Sequence, residues 1–312
     1  MKNNITKEKI LVTGANGFVG LRLLEHIKNM NFDIRVLSRN PSDQYESIQC
    51  DFLKNNIPSN SLNSIDIVFH LAGFAHDFRS SIEVNSIYQL INVDATVQLA
   101  ELAVKKNVKT FIFVSSVKAG GRPHPKKCMN ETDQGELDSK YGKSKRDAEL
   151  KLLKIGKKSG MNVVIVRPSL VYGKGMKGNL NLMLTGIKNG WFPPLPKIKN
   201  RRSMIHVDDL VEALIFVSLN KNANGEIFIL TDGQPYSSRE IYDAMCNSLG
   251  KEIPKWSLPL WIFIIMSKLN KRISFKIDKL LGDECYSSEK IELIGFKAKK
   301  SINNLNENET FY

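Results

Sequence analysis

Val12-Thr13-Gly14-Ala15-Asn16-Gly17-Phe18-Val19-Gly20 joins an apolar run at 10–13 to an amphipathic stretch at 18–28. The first run reads as a strand and the second as a helix. Glycines at 14, 17 and 20 let the chain turn tightly off the strand, approach a ligand with bare backbone, and pack the helix close. The helix N-terminus then offers N–H groups and the positive end of its dipole to a phosphate. At the first strand–helix junction of an alternating chain, this pattern points to a dinucleotide. Gly14, Asn16, Gly17, Phe18, Val19 and Gly20 are its candidate contacts.

The alternation continues outward. Residues 33–38, 47–51, 66–71, 110–115 and 162–167 read as strands, and 88–106 and 139–158 as helices. Strands alternating with helices of this length predict an α/β fold. Its core is a doubly wound parallel (Rossmann) sheet covered on both faces. After Pro168 the rhythm changes. A Gly/Lys loop at 173–178 precedes a helix at 179–189, a short strand at 204–206 and a helix at 208–219. A strand at 227–231 and a helix at 238–249, N-capped by Ser238, come next. The expected division is a dinucleotide-binding domain at 1–170, with 203–235 returning to it. A smaller C-terminal substrate lobe takes 171–202 and 236–312.

The composition bounds the function. The chain has 312 residues, 42% of them apolar and 25% charged, which excludes a disordered or collagen-like protein. The net charge of +13 points to a polyanionic partner. Nucleic acid is not expected, because the lysines sit on helices of the dinucleotide fold with little aromatic interleaving. Cys50, Cys128, Cys246 and Cys285 lie far apart without a CxxC pair. They are expected as free thiols of a reducing compartment, not as metal ligands. The polar N-terminus lacks the apolar core of a signal peptide. The longest apolar run, 256–269, is interrupted and too short to span a bilayer. These features predict a cytoplasmic protein. Residues 259–269 read as a buried helix, with docking at the inner membrane face as the alternative.

Two further clusters suggest chemistry. The second strand ends in Ser38-Arg39, without the carboxylate that usually holds the ribose hydroxyls of NAD. A hydroxyl beside a guanidinium suits the 2′-phosphate of NADP instead. Asp51 and Phe52, after the third strand, are candidate contacts of the adenine end. Tyr141 and Lys145 are four apart and share one helix face. An adjacent ammonium is expected to lower the phenol pKa and make Tyr141 a usable acid or base. Ser116, at the end of a buried strand, could bind the same substrate oxygen.

Together these motifs resemble the extended short-chain dehydrogenase/reductases. They comprise the Thr-Gly-x-x-Gly-x-x-Gly turn, His70-Leu71-Ala72-Gly73, Asn92-x-Asp94, Ser115-Ser116 and Tyr141-x-x-x-Lys145. The resemblance implies a Ser116/Tyr141/Lys145 triad, with NAD or NADP exchanging hydride at nicotinamide C4. It also implies that Lys145 holds the nicotinamide ribose, that His70, Leu71, Ala72 and Gly73 line the cofactor, and that Asn92 supports the site. The segment Arg202 to Leu210 resembles the diphosphate-binding stretch of UDP-sugar 4-epimerases. Gly178-Asn179-Leu180 resembles the cap over the nucleotide, which makes Arg202, Asn179 and Leu180 candidate substrate contacts. Val117-Lys118 replaces the Asp-Glu of sugar dehydratases, so elimination has no acid–base pair. Ser-Ser-x-Lys, with Lys118 as a candidate substrate contact, is similar to bacterial 4-ketoreductases of surface-polysaccharide synthesis. The implied reaction is reduction of a UDP-2-acetamido-2,6-dideoxy-4-hexulose, with UDP-hexose or UDP-N-acetylhexosamine 4-epimerisation as the alternative. Leu170 and Ser38 depart from the Asn and the acid that UDP-galactose epimerases carry. The resemblance further implies a homodimer paired through the two long helices. His76, beyond the cofactor loop, is a candidate substrate neighbour.

Overall fold

The computed structural model describes residues 7–54, 56–75, 86–124 and 127–305. The chain divides into two compact units. The first comprises the described residues of Met1–Arg122, Asp133–Pro168 and Val211–Ile229. The second comprises those of Pro123–Thr132, Ser169–Leu210 and Leu230–Tyr312.

Unit 1 is built on β1 (Glu8–Thr13), β2 (Phe32–Ser38), β3 (Glu46–Gln49), β4 (Ile67–His70), β5 (Thr110–Val114), β6 (Asn162–Pro168) and β9 (Ile227–Leu230). Their order is β3-β2-β1-β4-β5-β6-β9. Strands β1 to β6 pair in parallel, with Val12 facing Val36 on one side and Phe69 on the other. Strand β9 runs the same way, its segment bonding β6 through Gly225 N–H to the Val163 carbonyl (2.9 Å) and Ile165 N–H to that of Glu226 (3.0 Å). The order reverses at β1, so a crevice opens beyond the carboxyl ends of β1 and β4. Continuous apolar runs in these strands answer to burial on both faces. Leu11, Val68, Phe111 and Ile165 form one core with Leu99 and Leu152.

Helix α1 (Phe18–Ile27) follows the glycine turn. A π-helical stretch, Tyr88–Asp94, runs directly into α2 (Ala95–Lys105). Helix α3 (Lys140–Ser159) starts at an N-cap, where the Ser139 hydroxyl accepts the Gly142 N–H. It stops at Gly160, whose left-handed φ of +77° suits glycine.

Unit 2 holds β7 (Leu170–Tyr172), β8 (Arg202–His206) and β10 (Pro235–Tyr236) in a separate sheet of order β10-β8-β7. Its helices include α4 (Gly178–Lys188), α6 (Ser238–Ser248), α7 (Leu260–Leu269), α8 (Lys271–Leu281) and α9 (Glu289–Leu293). Helix α5 (Val207–Leu219) belongs to both units.

Of the segment 203–235, β9 joins the large sheet, and β8 and β10 pair in the small one. Two expectations are corrected. The cap of α6 is Ser237, which forms a reciprocal capping box with Glu240. Ser238 is buried and hydrogen-bonds Asn200 and the Leu280 carbonyl. The cysteines are not all free. Cys128 and Cys285, with Cα atoms 4.4 Å apart, form a disulfide, leaving Cys50 and Cys246 as buried thiols. Backbone bonds bring the pair together, from Met129 N–H to the Cys285 carbonyl and from Ser287 N–H to the Met129 carbonyl (both 2.9 Å).

Candidate active site

Unit 1 gathers its candidate residues at the carboxyl ends of the parallel strands. Gly14 turns with φ +69°, and a Cβ there would lie 2.7 Å from the Ala72 nitrogen. A Cβ on Gly20 would run into the Gly14 carbonyl, so α1 packs this closely only with glycine. Gly17 is the N-cap of α1. No side chain caps the helix and no acid stands in its first turn. The half-buried Phe18 and Val19 therefore begin a helix whose first N–H groups await an acceptor. Asn16 is exposed beside them. This cradle fits the pyrophosphate of a dinucleotide.

Beneath the cradle, Thr13 Oγ1 accepts the Ala72 N–H (3.1 Å) and bonds His70 Nδ1 (2.7 Å). His70 Nε2 bonds Thr96 Oγ1 (2.8 Å). Burial, then the Lys145 charge, pushes His70 down to about 3. His70 is thus a neutral interior tie between β1, β4 and α2, whereas Leu71 and Ala72 are half-buried and Gly73 is exposed.

At the end of β2, the Ser38 hydroxyl donates to the Asn40 carbonyl. The Arg39 carbonyl accepts from Gln49 Nε2 (3.0 Å), and its side chain is exposed. Asp51 Oδ1 accepts the Leu53 N–H (3.1 Å), a local turn contact. Phe52 presents its ring edge-on to His70, with centroids 5.9 Å apart.

The candidate triad forms where α3 meets the end of β5. A Cβ on Gly142 would lie 2.5 Å from the Lys118 carbonyl oxygen, so glycine allows this approach. Ser116 Oγ accepts the Lys118 N–H (3.2 Å), and its side chain hydrogen-bonds Tyr141. Lys145 Nζ donates to the Val114 carbonyl (2.9 Å) and lies 4.4 Å from the centre of the Phe113 ring. Asn92 clamps the Phe74 backbone, accepting its N–H (2.7 Å) and donating to its carbonyl (3.0 Å). It also donates to Ser144 Oγ (2.9 Å), which bonds the Tyr141 carbonyl (2.9 Å). Asn92 therefore fastens the loop after β4 to the first turns of α3.

The electrostatics differ from the sequence expectation. Burial pushes Tyr141 up to about 12, against the lowering effect of the Ser116 hydrogen bond; Tyr88 and Glu149 add to the rise. The Lys145 ammonium is turned to the Val114 carbonyl, and it does not lower the phenol below its usual range. Burial pulls Lys145 itself down to about 8, with Glu149 opposing.

Residues 10–230 match the NAD dependent epimerase/dehydratase family. The chain belongs to that family. As a member of the NAD dependent epimerase/dehydratase family it is an enzyme. A UDP-glucose 4-epimerase of Vibrio cholerae is 29% identical over 306 residues, covering 95% of this chain and 92% of that one. A UDP-2-acetamido-2,6-beta-L-arabino-hexul-4-ose reductase of Pseudomonas aeruginosa is 29% identical over 220 residues, 69% of this chain and 51% of that one. The crystal structure of a Bacillus cereus UDP-N-acetylglucosamine 4-epimerase superposes with a TM-score of 0.75 at 22% identity. It covers 97% of this chain and 95% of that one, a likeness of fold.

The other candidates of this family member lie as follows. Lys118 is half-buried in the turn after Ser116. In unit 2, Asn179 is exposed on the first turn of α4 and Leu180 is buried. Arg202 is buried. Its Nη1 donates to the Lys279 carbonyl and to that of Gly282 (3.4 Å), and its Nη2 lies 3.5 Å from Glu284 Oε2. Its guanidinium is thus engaged by the protein's own groups. His76 lies outside the described residues. Sequence reasoning missed Glu149 and Arg167, a buried bidentate pair behind Lys145 (2.9 and 2.6 Å). The available signal was the single charge of β6, Arg167 after four apolar residues, and an acid four residues after Lys145.

Proposed function

We propose that this enzyme reduces the 4-keto group of a UDP-sugar, of the UDP-2-acetamido-2,6-dideoxy-4-hexulose class, with NADPH. The observation that carries the reading is the gathering of Ser116, after β5, with Tyr141 and the buried Lys145 on the first turns of α3, where burial raises the Tyr141 phenol. At neutral pH such a phenol keeps its proton, the state an acid needs beside a carbonyl that becomes an alcohol. The dinucleotide, held at Gly14–Gly20, supplies hydride when bound. Tyr141 gives its proton to O4 of the sugar. Ser116 hydrogen-bonds the same oxygen and fixes its position between the two hydroxyls. Lys145, still charged at neutral pH, offers its ammonium to the nicotinamide ribose. Val117-Lys118 supplies no carboxylate pair, so the sugar keeps its carbon–oxygen bonds at C5 and C6.

The choice of NADPH rests on the end of β2, where Ser38 and the exposed Arg39 stand without a carboxylate. A cofactor that must leave after each turnover also suits a reductase. Likeness to the Vibrio cholerae epimerase along nearly the whole chain favours a second reading, 4-epimerisation with retained NAD. Mass spectrometry of the purified protein separates the two. Absence of bound dinucleotide, with NADPH oxidation on adding a 4-keto UDP-sugar, is the expected result. Co-purified NAD and interconversion of UDP-sugars without added cofactor would establish the epimerase. In either case Tyr141→Phe is expected to lower turnover by about 10²-fold or more; unchanged turnover would refute the role given to Tyr141.

A further inference from the structure

Unit 2 presents an apolar face to solvent. Helix α7 has eight apolar residues in ten, yet Phe263 is its one buried side chain. Trp261 is 60% exposed, Ile264 48%, Ile265 52% and Leu269 72%. These four recur at i, i+3, i+4 and i+8, with Lys268 at i+7, which is the stripe a helix normally turns to a core. Here it points outward, opposite Phe263. Trp256, just before α7, and Phe275, on α8, are also more than half exposed. Exposed apolar area gathered in this way marks an interaction surface.

The patch is firmly held. Arg239 donates to the carbonyls of Pro254 (2.6 Å), Trp256 (3.2 Å) and Leu195 (3.2 Å). Leu258 N–H bonds the Pro194 carbonyl (3.1 Å). The segment leading into α7 is therefore fixed while the Trp256 ring stands out.

Charge selects the occupant. Residues 251–281 carry seven Lys or Arg against two Asp or Glu. Lys268 lies in the stripe itself, and Lys279 sits 4.4 Å over the Phe275 ring. A second copy docked symmetrically through α7 would bring these like charges together. An anionic lipid surface would complement them. Tryptophan at the polar boundary and lysine reaching outward from an apolar stem suit that interface. A ten-residue helix is about 15 Å long, half of a hydrocarbon core, so it must lie in the plane of the surface. No helix among the described residues is long and apolar enough to cross a membrane.

We infer that α7, Trp256 and the exposed Lys255, Lys268 and Lys276 dock this enzyme on an anionic bilayer, the stripe entering the headgroup–acyl boundary. The inference is independent of which UDP-sugar the enzyme uses. The full-length protein is floated with phosphatidylcholine vesicles, and with vesicles containing about one-third phosphatidylglycerol. It should float with the anionic vesicles and stay behind with the neutral ones. Trp261→Asp with Ile265→Asp, or Lys268→Glu with Lys276→Glu, should each weaken the association about tenfold or more. All four side chains are exposed, so the melting curve and dinucleotide binding should stay unchanged. Failure to float with anionic vesicles overturns the inference, as does flotation that the α7 variants leave intact. Sedimentation of wild type and the Trp261/Ile265 variant adds a further check. A loss of oligomeric mass in the variant, without vesicle binding by the wild type, would assign the face to a second copy instead.

Discussion

Lys145 bears the main electrostatic cost of the candidate site. Its ammonium is buried against the Phe113 ring with the Val114 carbonyl as acceptor. Glu149, one turn on, offsets only part of the loss of water, because that carboxylate is bidentate to Arg167. The folded-state pKa, about 8, lies below the ordinary lysine value of 10.5. The folded protein therefore binds this proton less tightly than the unfolded chain does. The cost is fully present below about pH 8 and is relieved as pH rises towards 10.5. Its size at neutral pH is of order 3 kcal/mol. Lys145→Met is accordingly expected to keep or raise Tm at pH 7 while abolishing turnover, a trade of stability for function. Any gain in Tm over wild type should shrink as the melts are repeated above pH 8. A fall of several degrees at pH 7 would show that the Val114 hydrogen bond outweighs the burial of charge.

At the level of elements, the sequence exposed what is local and hid what depends on distant pairing. The glycine turn, the strands beside it and the Tyr141–Lys145 spacing were legible because each is set by neighbours within a few residues. Helical periodicity across 88–106 was legible too, but not the widened turns of Tyr88–Asp94, since an apolar stripe does not reveal the hydrogen-bond step. That stretch holds Asn92, whose three bonds tie Phe74 to α3, and such local widening often accompanies a functional site. The Ser237 cap was readable as Ser-x-x-Glu ending at Glu240 and was misplaced by one residue. The Cys128–Cys285 pair, 157 residues apart, was not readable, because it follows from the Met129–Tyr286 bridge. Denatured without reductant, the protein should show two reactive thiols, from Cys50 and Cys246, and four after reduction. Closing so long a loop stabilises by about 2–5 kcal/mol, so reduction should lower Tm measurably. Four reactive thiols before reduction would refute the disulfide.

For the molecule as a whole, the division into units does not follow the order of the chain. The alternation of strands and helices ends at Pro168, and that ending placed the expected boundary near residue 170, with 203–235 expected to return. The large sheet does not end there. Strand β6 lies between β5 and β9, and β9 arrives only at Ile227–Leu230. Val163, Val164, Ile165 and Val166 are at most 1% exposed, and Phe228 and Ile229 of β9 are also buried. A chain stopped at residue 170 would turn β6 into a bare apolar edge, a template for aggregation. It would also lose the buried Val211, Leu214 and Val217 of α5. The glycine turn, the Asn92 clamp and the triad would all be present in such a fragment, yet it should fail to fold and to bind dinucleotide. Rejoining residues 207–230 to its C-terminus through a flexible linker should restore solubility and binding, because that segment closes the sheet. Circular dichroism and dinucleotide titration of both proteins decide the matter. If the 1–170 fragment alone melts cooperatively and binds as the full chain does, β9 is dispensable and the dinucleotide site rests on the first six strands.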